Sequence, residues 1–372
     1  MGFGLYIHIP FCLKKCDYCS FYSVNFDENL ASSFLKRLVD ESDEFSKSNY
    51  EFDTIYIGGG TPSTLEPTSL TLSVRGIFER LKFNHLMEFT LEINPGTIDK
   101  NKLFLYKSAG VSRISIGLQR LDNDELHLLG RIHSAMEAIE SVEMAYDAGF
   151  SNISADIIYG IPEDTPKKVE KLLERIVRLP VVHISAYSLT YDEGTRFFEK
   201  KLIGEFKPIP EDEEFKIYRL IQEYLGSEGF KQYEISSFAK PGFESVHNRK
   251  YWAQESYLGL GPSAVSTDYN NYVRWTNPPD LRNYLFSPRI ARKLEHLNKK
   301  GLLIERIFLS LRTVYGLDIE RLAKDFEVDI DDFLPPIFLQ KGFIVKSGAR
   351  MRIPAEHFFI ADEIISGIIK NI

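Results

Sequence analysis

The sequence predicts an α/β fold: a partial (β/α)6 barrel followed by an α+β region of winged-helix-like character. Three observations predict it. Short β-rich runs alternate with longer helical patterns through the first half of the chain. Glycine and proline breakers fall between the runs, at Pro10, Gly58–Gly60, Pro95 and Gly160–Pro162. Beyond about residue 205 the alternation gives way to helices and a terminal hairpin. Alternation at this spacing implies parallel strands with helices outside, because a parallel pair needs a crossover connection.

Six strands are expected, at 5–9, 54–57, 89–93, 112–118, 153–158 and 182–188, with helices near 28–46, 67–81, 99–109, 134–148 and 166–178. Six repeats fall short of an eight-stranded barrel, so an open barrel is expected, with its ligand at the carboxyl ends of the strands. The strand residues support this. Arg113, Ser115, Gly117 and Gln119 share one face by the period of two, as do Glu88, Thr90, Glu92 and Asn94. Asp156 sits mid-strand between apolar neighbours. Buried carboxylates and amides need partners. A polar ligand in the barrel mouth would supply them, and so would internal hydrogen bonds.

Later in the chain, 211–229 reads as one helix and 232–239 as strand-like, and 245–277 is rich in Tyr, Trp, Gly and Asn. Helices follow at 301–314, 318–326 and 333–341, then a hairpin at 343–353 and a last helix from Glu356. The expected division is a barrel at 1–205, a connecting region at 206–296 and a helical, winged-helix-like module at 297–372. The region after the barrel is expected to cover its mouth.

The chain has 372 residues, enough for one large domain and something smaller. Its net charge of -8 argues against a nucleic-acid partner, which would require a basic face. No apolar run reaches the length of a membrane span, and residues 1–10 lack the features of a signal peptide, so a cytoplasmic protein is expected. The three cysteines all lie between Cys12 and Cys19. An odd number so closely spaced makes a poor disulfide framework and a good metal site.

These cysteines stand in the run His8-Ile-Pro-Phe-Cys12-Leu-Lys-Lys-Cys16-Asp-Tyr-Cys19, where the first strand ends. Thiolates select iron–sulfur clusters or zinc. A structural zinc ion wants a fourth ligand, whereas a four-iron cluster on three thiolates keeps one iron open. Lys14 and Lys15 are placed to lower thiolate pKa values. A zinc knuckle and inert thiols are the alternatives.

The C-x3-C-x2-C spacing on the loop after the first strand resembles the signature of the radical SAM superfamily. Gly58-Gly-Gly-Thr-Pro62, after the second strand, extends the likeness. The sequence is similar to the group that contains oxygen-independent coproporphyrinogen III oxidase and the HemW-type haem chaperones. Tyr6-Ile-His-Ile-Pro-Phe-Cys12, Glu92-Ile-Asn-Pro-Gly96, Ser115-Ile-Gly-Leu-Gln119, Leu129-Gly-Arg131-Ile-His133, Asp156-Ile-Ile-Tyr-Gly-Ile-Pro162 and Ser185-Ala-Tyr-Ser188 carry this resemblance. It implies a [4Fe–4S] cluster on Cys12, Cys16 and Cys19. It implies S-adenosylmethionine (SAM) at a site lined by Tyr6, Gly59, Gly60, Thr61, Glu92, Gln119, Arg131, Asp156 and Ala186, with Tyr18 over the cofactor. Carboxylates suit ribose hydroxyls and an arginine suits the SAM carboxylate; an ion pair between Glu92 and Arg131 is the alternative.

Two departures separate the chain from the oxidases. They carry a further cysteine two residues after the third, where this sequence has Phe21. They also carry an N-terminal extension, whereas here the first strand is expected from Leu5. His247-Asn-Arg-Lys-Tyr251-Trp252 resembles the element associated with haem binding in HemW proteins. A histidine can ligate haem iron, and tyrosine and tryptophan present broad apolar faces to a porphyrin. In a helix, His247 and Tyr251 share a face. Without the resemblance, a helix-capping His247 and an interface-filling Trp252 are the favoured reading. The resemblance thus implies a haem chaperone that binds haem and delivers it to haemoproteins, respiratory enzymes foremost, with a flavodoxin or ferredoxin as electron donor. The alternative is coproporphyrinogen III oxidation. A homodimer and peripheral membrane contact stay open.

Overall fold

Six strands and their helices follow one another as far as residue 188 in the computed structural model, which describes residues 2–372. They are β1 (Phe3–Ile9), α1 (Glu28–Asp43), β2 (Glu51–Gly59), α2 (Pro67–Arg80), β3 (Lys82–Ile93), α3 (Lys100–Ser108), β4 (Arg113–Gln119), α4 (Asn123–Leu128), α5 (Ala135–Asp147), β5 (Asn152–Tyr159), α6 (Pro166–Ile176) and β6 (His183–Ser188). Local chemistry sets the helix starts. Asp27, Asp99 and Thr165 each accept a backbone N–H three residues on, and Ser134 with Glu137 forms a capping box.

The chain continues through α7 (Arg196–Leu202), α8 (Glu211–Ser227), β7 (Ser237–Ala239), α9 (Val246–Trp252), β8 (Tyr257–Leu260), β9 (Val265–Asp268), β10 (Val273–Thr276), α10 (Leu281–Phe286) and β11 (Lys293–His296). It ends with α11 (Lys299–Ser310), α12 (Ile319–Phe326), α13 (Pro336–Gln340), the hairpin β12 (Val345–Ser347) and β13 (Arg350–Arg352), and α14 (Ala361–Ile369). A short strand at Leu317–Asp318 joins the hairpin to give a three-stranded sheet, so helices and a small antiparallel sheet lie together as a winged-helix-like region requires.

One sheet of twelve strands runs through the rest, in the order β11-β10-β9-β8-β1-β2-β3-β4-β5-β6-β7, closed by Lys231–Gln232. Seven strands are parallel, not the six expected. β8 lies parallel to β1, pairing Leu5 with Leu258 and Ile7 with Leu260. This strand is only four residues long and holds Gly259, where a side chain would collide with the Val265 carbonyl. Its composition therefore resembles a loop, and its strand character comes from β1 beside it.

The two faces of the sheet differ. Ile55, Ile57, Leu91, Ile114, Ile116, Ile153, Ile157 and Ile184 belong to a continuous core under the helices that reaches as far as Ile368. The alternate residues, Tyr56, Glu92, Arg113, Ser115, Asp156 and Ser185, form a polar interior. The helices after residue 297 do not cover the barrel mouth. The mouth is lined only by residues up to Asp192, whereas α11 and α12 border a cleft with Gly2 and Phe3, where β1 begins.

A buried carboxylate fastens the later strands to the barrel. Glu41 of α1 is fully buried and accepts from the Gly261 N–H at 2.8 Å, Asn277 Nδ2 at 2.7 Å, the Tyr284 hydroxyl at 2.7 Å and Arg292 at 3.1 Å. Four donors supply the solvation that this charge loses on burial.

Candidate functional site

The cysteine loop is held open at the carboxyl end of β1. Phe11–Cys12 pairs with Val24–Asn25, which closes the loop at its base. Its middle is clamped at Asp17, whose N–H donates to the Leu129 carbonyl and whose carbonyl accepts from the Phe197 N–H. Lys200 pairs with the Asp17 carboxylate at 3.2 Å. Tyr18 packs on a small apolar cluster of Leu129, Ile158, Ile161, Leu189 and Phe197. The three thiols are thus fixed from behind and face a cavity of about 520 Å³.

Among the described residues no three His, Cys, Asp or Glu side chains converge on one ion. A zinc ion would need such convergence at about 2.0–2.3 Å. A cluster does not, since each thiolate binds a different iron. Thr61 Oγ1 donates to Cys12 Sγ at 3.7 Å and Arg131 to Cys16 Sγ at 3.4 Å. The effect expected of Lys14 and Lys15 is not what dominates. Burial pushes the Cys12 and Cys19 thiols up, and Lys15 offsets little at Cys19, because both lysines are exposed to solvent.

The glycine turn after β2 forms one wall. Gly59 has a φ of +109°, and a side chain there would meet His8 Nδ1 at 2.6 Å. At Gly60 it would meet the Phe11 carbonyl at 2.6 Å. Only glycine allows this approach. The amides of this turn are already engaged: Gly59 N–H donates to Glu92, Gly60 N–H to the Ile9 carbonyl and Thr61 N–H to the Phe11 carbonyl. The Gly60 carbonyl accepts no hydrogen bond among the described residues. The wall therefore offers an acceptor, which suits an ammonium group.

Glu92 and Asp156 stand deep in the cavity. Glu92 accepts from the Tyr56 hydroxyl at 2.6 Å, and enclosure by protein, with Asp156 nearby, pushes its pKa up to about 7. Asp156 accepts from Ser115 Oγ at 2.9 Å, and burial raises its pKa as well. Both lie open to the cavity, so a ligand hydroxyl can reach them. Arg131 follows Gly130, whose φ of +75° turns the chain out of α4. It donates to Asn94 Oδ1 at 2.8 Å and to the Gly117 carbonyl at 2.9 Å. Its partner is thus Asn94, not Glu92, and the alternative ion pair does not form. Gln119 takes a left-handed φ of 61° at a break in the β4–β5 register, which turns its side chain into the mouth.

Cys12, Cys16, Cys19, Tyr18, Gly59, Gly60, Thr61, Glu92, Gln119, Arg131 and Asp156 all line this cavity; Tyr6 and Ala186 do not. The Tyr6 hydroxyl meets His8 Nδ1 at 3.0 Å, below the cavity and beside Tyr56. Ala186 points to the outer, apolar face, and Tyr187 is the β6 residue at the mouth. Tyr56, Asn94, Ser115 and Gly117 also line it. The period of two along each strand carried the signal for them.

His247 is placed elsewhere. Helix α9 plugs the barrel interior beneath Tyr56, whose ring lies 5.3 Å from that of His247. His247 is 1% exposed, with Nδ1 at 2.9 Å from Thr54 Oγ1 and Nε2 at 2.9 Å from the Tyr251 hydroxyl. Neither nitrogen is free for iron in this arrangement. Glu88 caps the helix by accepting from Ser245 Oγ and from the N–H groups of Val246 and His247. Trp252 is half-buried at the other end.

A parallel barrel with three cysteines on its first loop and a glycine wall on its second defines a radical SAM protein, and the Radical SAM superfamily profile matches residues 6–176. The chain is 34% identical to "Heme chaperone HemW" of Lactococcus lactis over 88% of this chain and 86% of that one. It is 31% identical to the Bacillus subtilis protein of that name over 99% of both, and 34% identical to that of Escherichia coli over 89% and 82%. The chain belongs to the HemW family of radical SAM proteins. The structure of coproporphyrinogen III oxidase (HemN) from Escherichia coli superposes with a TM-score of 0.85, over 100% of this chain and 91% of that one. At 19% identity this likeness establishes the shared fold.

Proposed function

We propose that the chain is a haem chaperone, which binds haem and passes it to an acceptor haemoprotein such as a respiratory enzyme, and that it carries a [4Fe–4S] cluster and SAM. The observation that carries this reading is the end-to-end likeness to HemW proteins, at 31% identity over 99% of both chains in the Bacillus subtilis case. Phe21, 65% exposed at the mouth where the oxidases have a cysteine, supports it.

In this reading Cys12, Cys16 and Cys19 would hold the cluster, which with an external electron donor would supply reductive cleavage of bound SAM. The protein's own residues bind and orient. The Gly60 carbonyl accepts from the SAM ammonium, Arg131 pairs its carboxylate, and Glu92 and Asp156 accept from ribose hydroxyls. A flavodoxin or ferredoxin would approach the mouth beside the exposed Lys14 and Lys15. Ligation of haem by His247 would require α9 to shift and break the hydrogen bonds to Thr54 and Tyr251.

The test is anaerobic cluster reconstitution followed by hemin titration, transfer to an apo-haemoprotein and an assay with coproporphyrinogen III. Tight hemin binding and transfer without decarboxylation are expected. Decarboxylation with 5′-deoxyadenosine formed in proportion would overturn the reading in favour of an oxidase.

A further inference from the structure

Arg113 and Arg120 are the two arginines that the fold buries almost completely. Arg120 has carboxylates beside it, Asp164 at 2.6 Å and Glu125 at 3.1 Å. Arg113 forms no salt bridge among the described residues, and its Nε and Nη1 donate to nothing there. A guanidinium loses its hydration on burial, and direct partners normally replace it. A buried arginine without them invites the question of what its charge does.

Arg113 opens β4 on the face turned to the barrel interior, beside Thr90 of β3 and Asn152 of β5. Ser115 and Gly117, further along the same face, line the mouth cavity, and Arg113 lies one step beneath them. A carboxylate stands on either flank: Glu88 of β3, which caps α9, and Asp156 of β5, which opens on the cavity. Burial opposes the charge on Arg113, but Glu88 foremost, then Tyr56, Tyr233 and Asp156, favour it and outweigh the loss.

The orientation of Asp156 and its charge come from different sources. Neutral donors orient it: Ser115 Oγ at 2.9 Å and Ser154 Oγ at 3.4 Å. Ser154 Oγ lies 2.7 Å from His183 Nδ1, and His183 Nε2 lies 2.8 Å from the Tyr233 hydroxyl. Ser154 gives its one proton to Asp156, so His183 donates from Nδ1 and accepts the Tyr233 phenol at Nε2. Burial, with Arg113 nearby, keeps this imidazole neutral. The groups of charge that face Asp156 are therefore few. Tyr56 of β2 and Tyr187 of β6 are held protonated by burial. Glu92 of β3 is a second carboxylate, and Arg113 is the cation. Burial pushes the Asp156 pKa up, and Arg113 is the chief influence that holds it down.

We infer that Arg113 is a positioning residue of the SAM pocket: from beneath the cavity its unpaired charge keeps Asp156 an anion, ready to accept from the ribose hydroxyls. The inference rests on the SAM reading above and deepens it. An ionised acceptor makes the stronger hydrogen bond. A guanidinium suits the position because it stays charged when buried. Having no direct partner, Arg113 leaves the Asp156 oxygens to the two serines and the ligand.

The test measures SAM dissociation constants by equilibrium dialysis on the full-length protein with its cluster reconstituted, from about pH 6 to about pH 8.5. Wild type is compared with Arg113→Met, Arg113→Lys, Asp156→Asn and the pair Arg113→Met with Asp156→Asn. Ionisation of SAM itself is common to all and cancels in the ratio to wild type. Arg113→Met is expected to bind at least tenfold more weakly near pH 6, with the ratio shrinking as pH rises and Asp156 ionises without help. Arg113→Lys keeps the charge and is expected to restore most of the affinity. The pair removes both charges together and is expected to bind as Asp156→Asn does, which keeps the test open should Arg113→Met alone not fold. A ratio that stays constant across pH, or a pair weaker than Asp156→Asn, would assign Arg113 to packing and overturn the inference while leaving the SAM reading standing. Failure of the wild type to bind SAM at any pH would overturn both.

Discussion

The imidazole of His247 is held between two hydroxyls inside the barrel, Thr54 at one nitrogen and Tyr251 at the other, each at 2.9 Å. Replacing it with alanine strands both hydroxyls and opens a cavity. Unsatisfied buried donors cost about 1–3 kcal/mol each, and the lost packing adds to this. His247→Ala is therefore expected to lower stability by roughly 3 kcal/mol or more, read as a shift of the urea midpoint. Burial, with Lys250 and Arg113 adding, lowers the His247 pKa to about 3 from 6.5. The unfolded chain thus binds a proton that the folded chain refuses, and stability falls as pH drops from about 6.5 towards 3. His247→Gln should flatten this acid limb relative to wild type.

Glu92 behaves in the opposite sense. Its pKa is raised to about 7 from 4.5, so the folded state holds the proton longer than the unfolded state. Its contribution to stability is full below about pH 4.5 and is lost as pH rises through 7, a change on the order of a few kcal/mol. Glu92→Gln keeps an acceptor for the Tyr56 hydroxyl and does not ionise. It is expected to be more stable than wild type at pH 8 and to bind SAM at least tenfold more weakly. Urea midpoints across pH and equilibrium dialysis measure the two effects; parallel pH curves for the two proteins would count against the shift.

Much of the barrel and its mouth was legible because their signals are local. Strand periodicity marked Glu92, Asp156 and Gln119, and the cysteine spacing marked the loop. What was not legible depends on partners distant in sequence. β8 is a strand only because β1 lies beside it, Tyr257 pairing with Gly4 and Leu260 with Ile7 from the other end of the chain. Ala186 and Tyr187 differ by one position, and the parity of β6 decides which faces the mouth. The residues alone favoured a structural His247 and the resemblance gave it haem contact; that Thr54, Tyr56 and Glu88 surround it depends on partners far away in the sequence.

Arg131 supports the site with a planar fork, bonding Asn94 and the Gly117 carbonyl with one nitrogen and Cys16 Sγ with another. Lysine keeps the charge but not the fork. Arg131→Lys is expected to retain the cluster, by iron and sulfide content, while SAM affinity drops about tenfold, on the order of 1.4 kcal/mol. Unchanged SAM affinity would remove Arg131 from the proposed carboxylate contact.

Glu41 makes the last prediction, since it tests how the later strands are attached. Its carboxylate, fully buried, gathers the Gly261 amide, Asn277, Tyr284 and Arg292. Removing it leaves Arg292 with Glu44 at 2.7 Å and Asn277 Oδ1 at 3.1 Å, and strands the Gly261 amide and the Tyr284 hydroxyl. Breaking a buried charge network typically costs about 3–5 kcal/mol. The damage should be local first, because β9, β10 and β11 hang on β8 at one edge of the sheet, whereas the mouth is built from strands on the other side of β1. Hydrogen exchange on Glu41→Ala is expected to show faster exchange through 257–296 than through β3 to β6. Uniform loss of protection across the whole sheet would instead show that the edge strands and the barrel unfold as one unit.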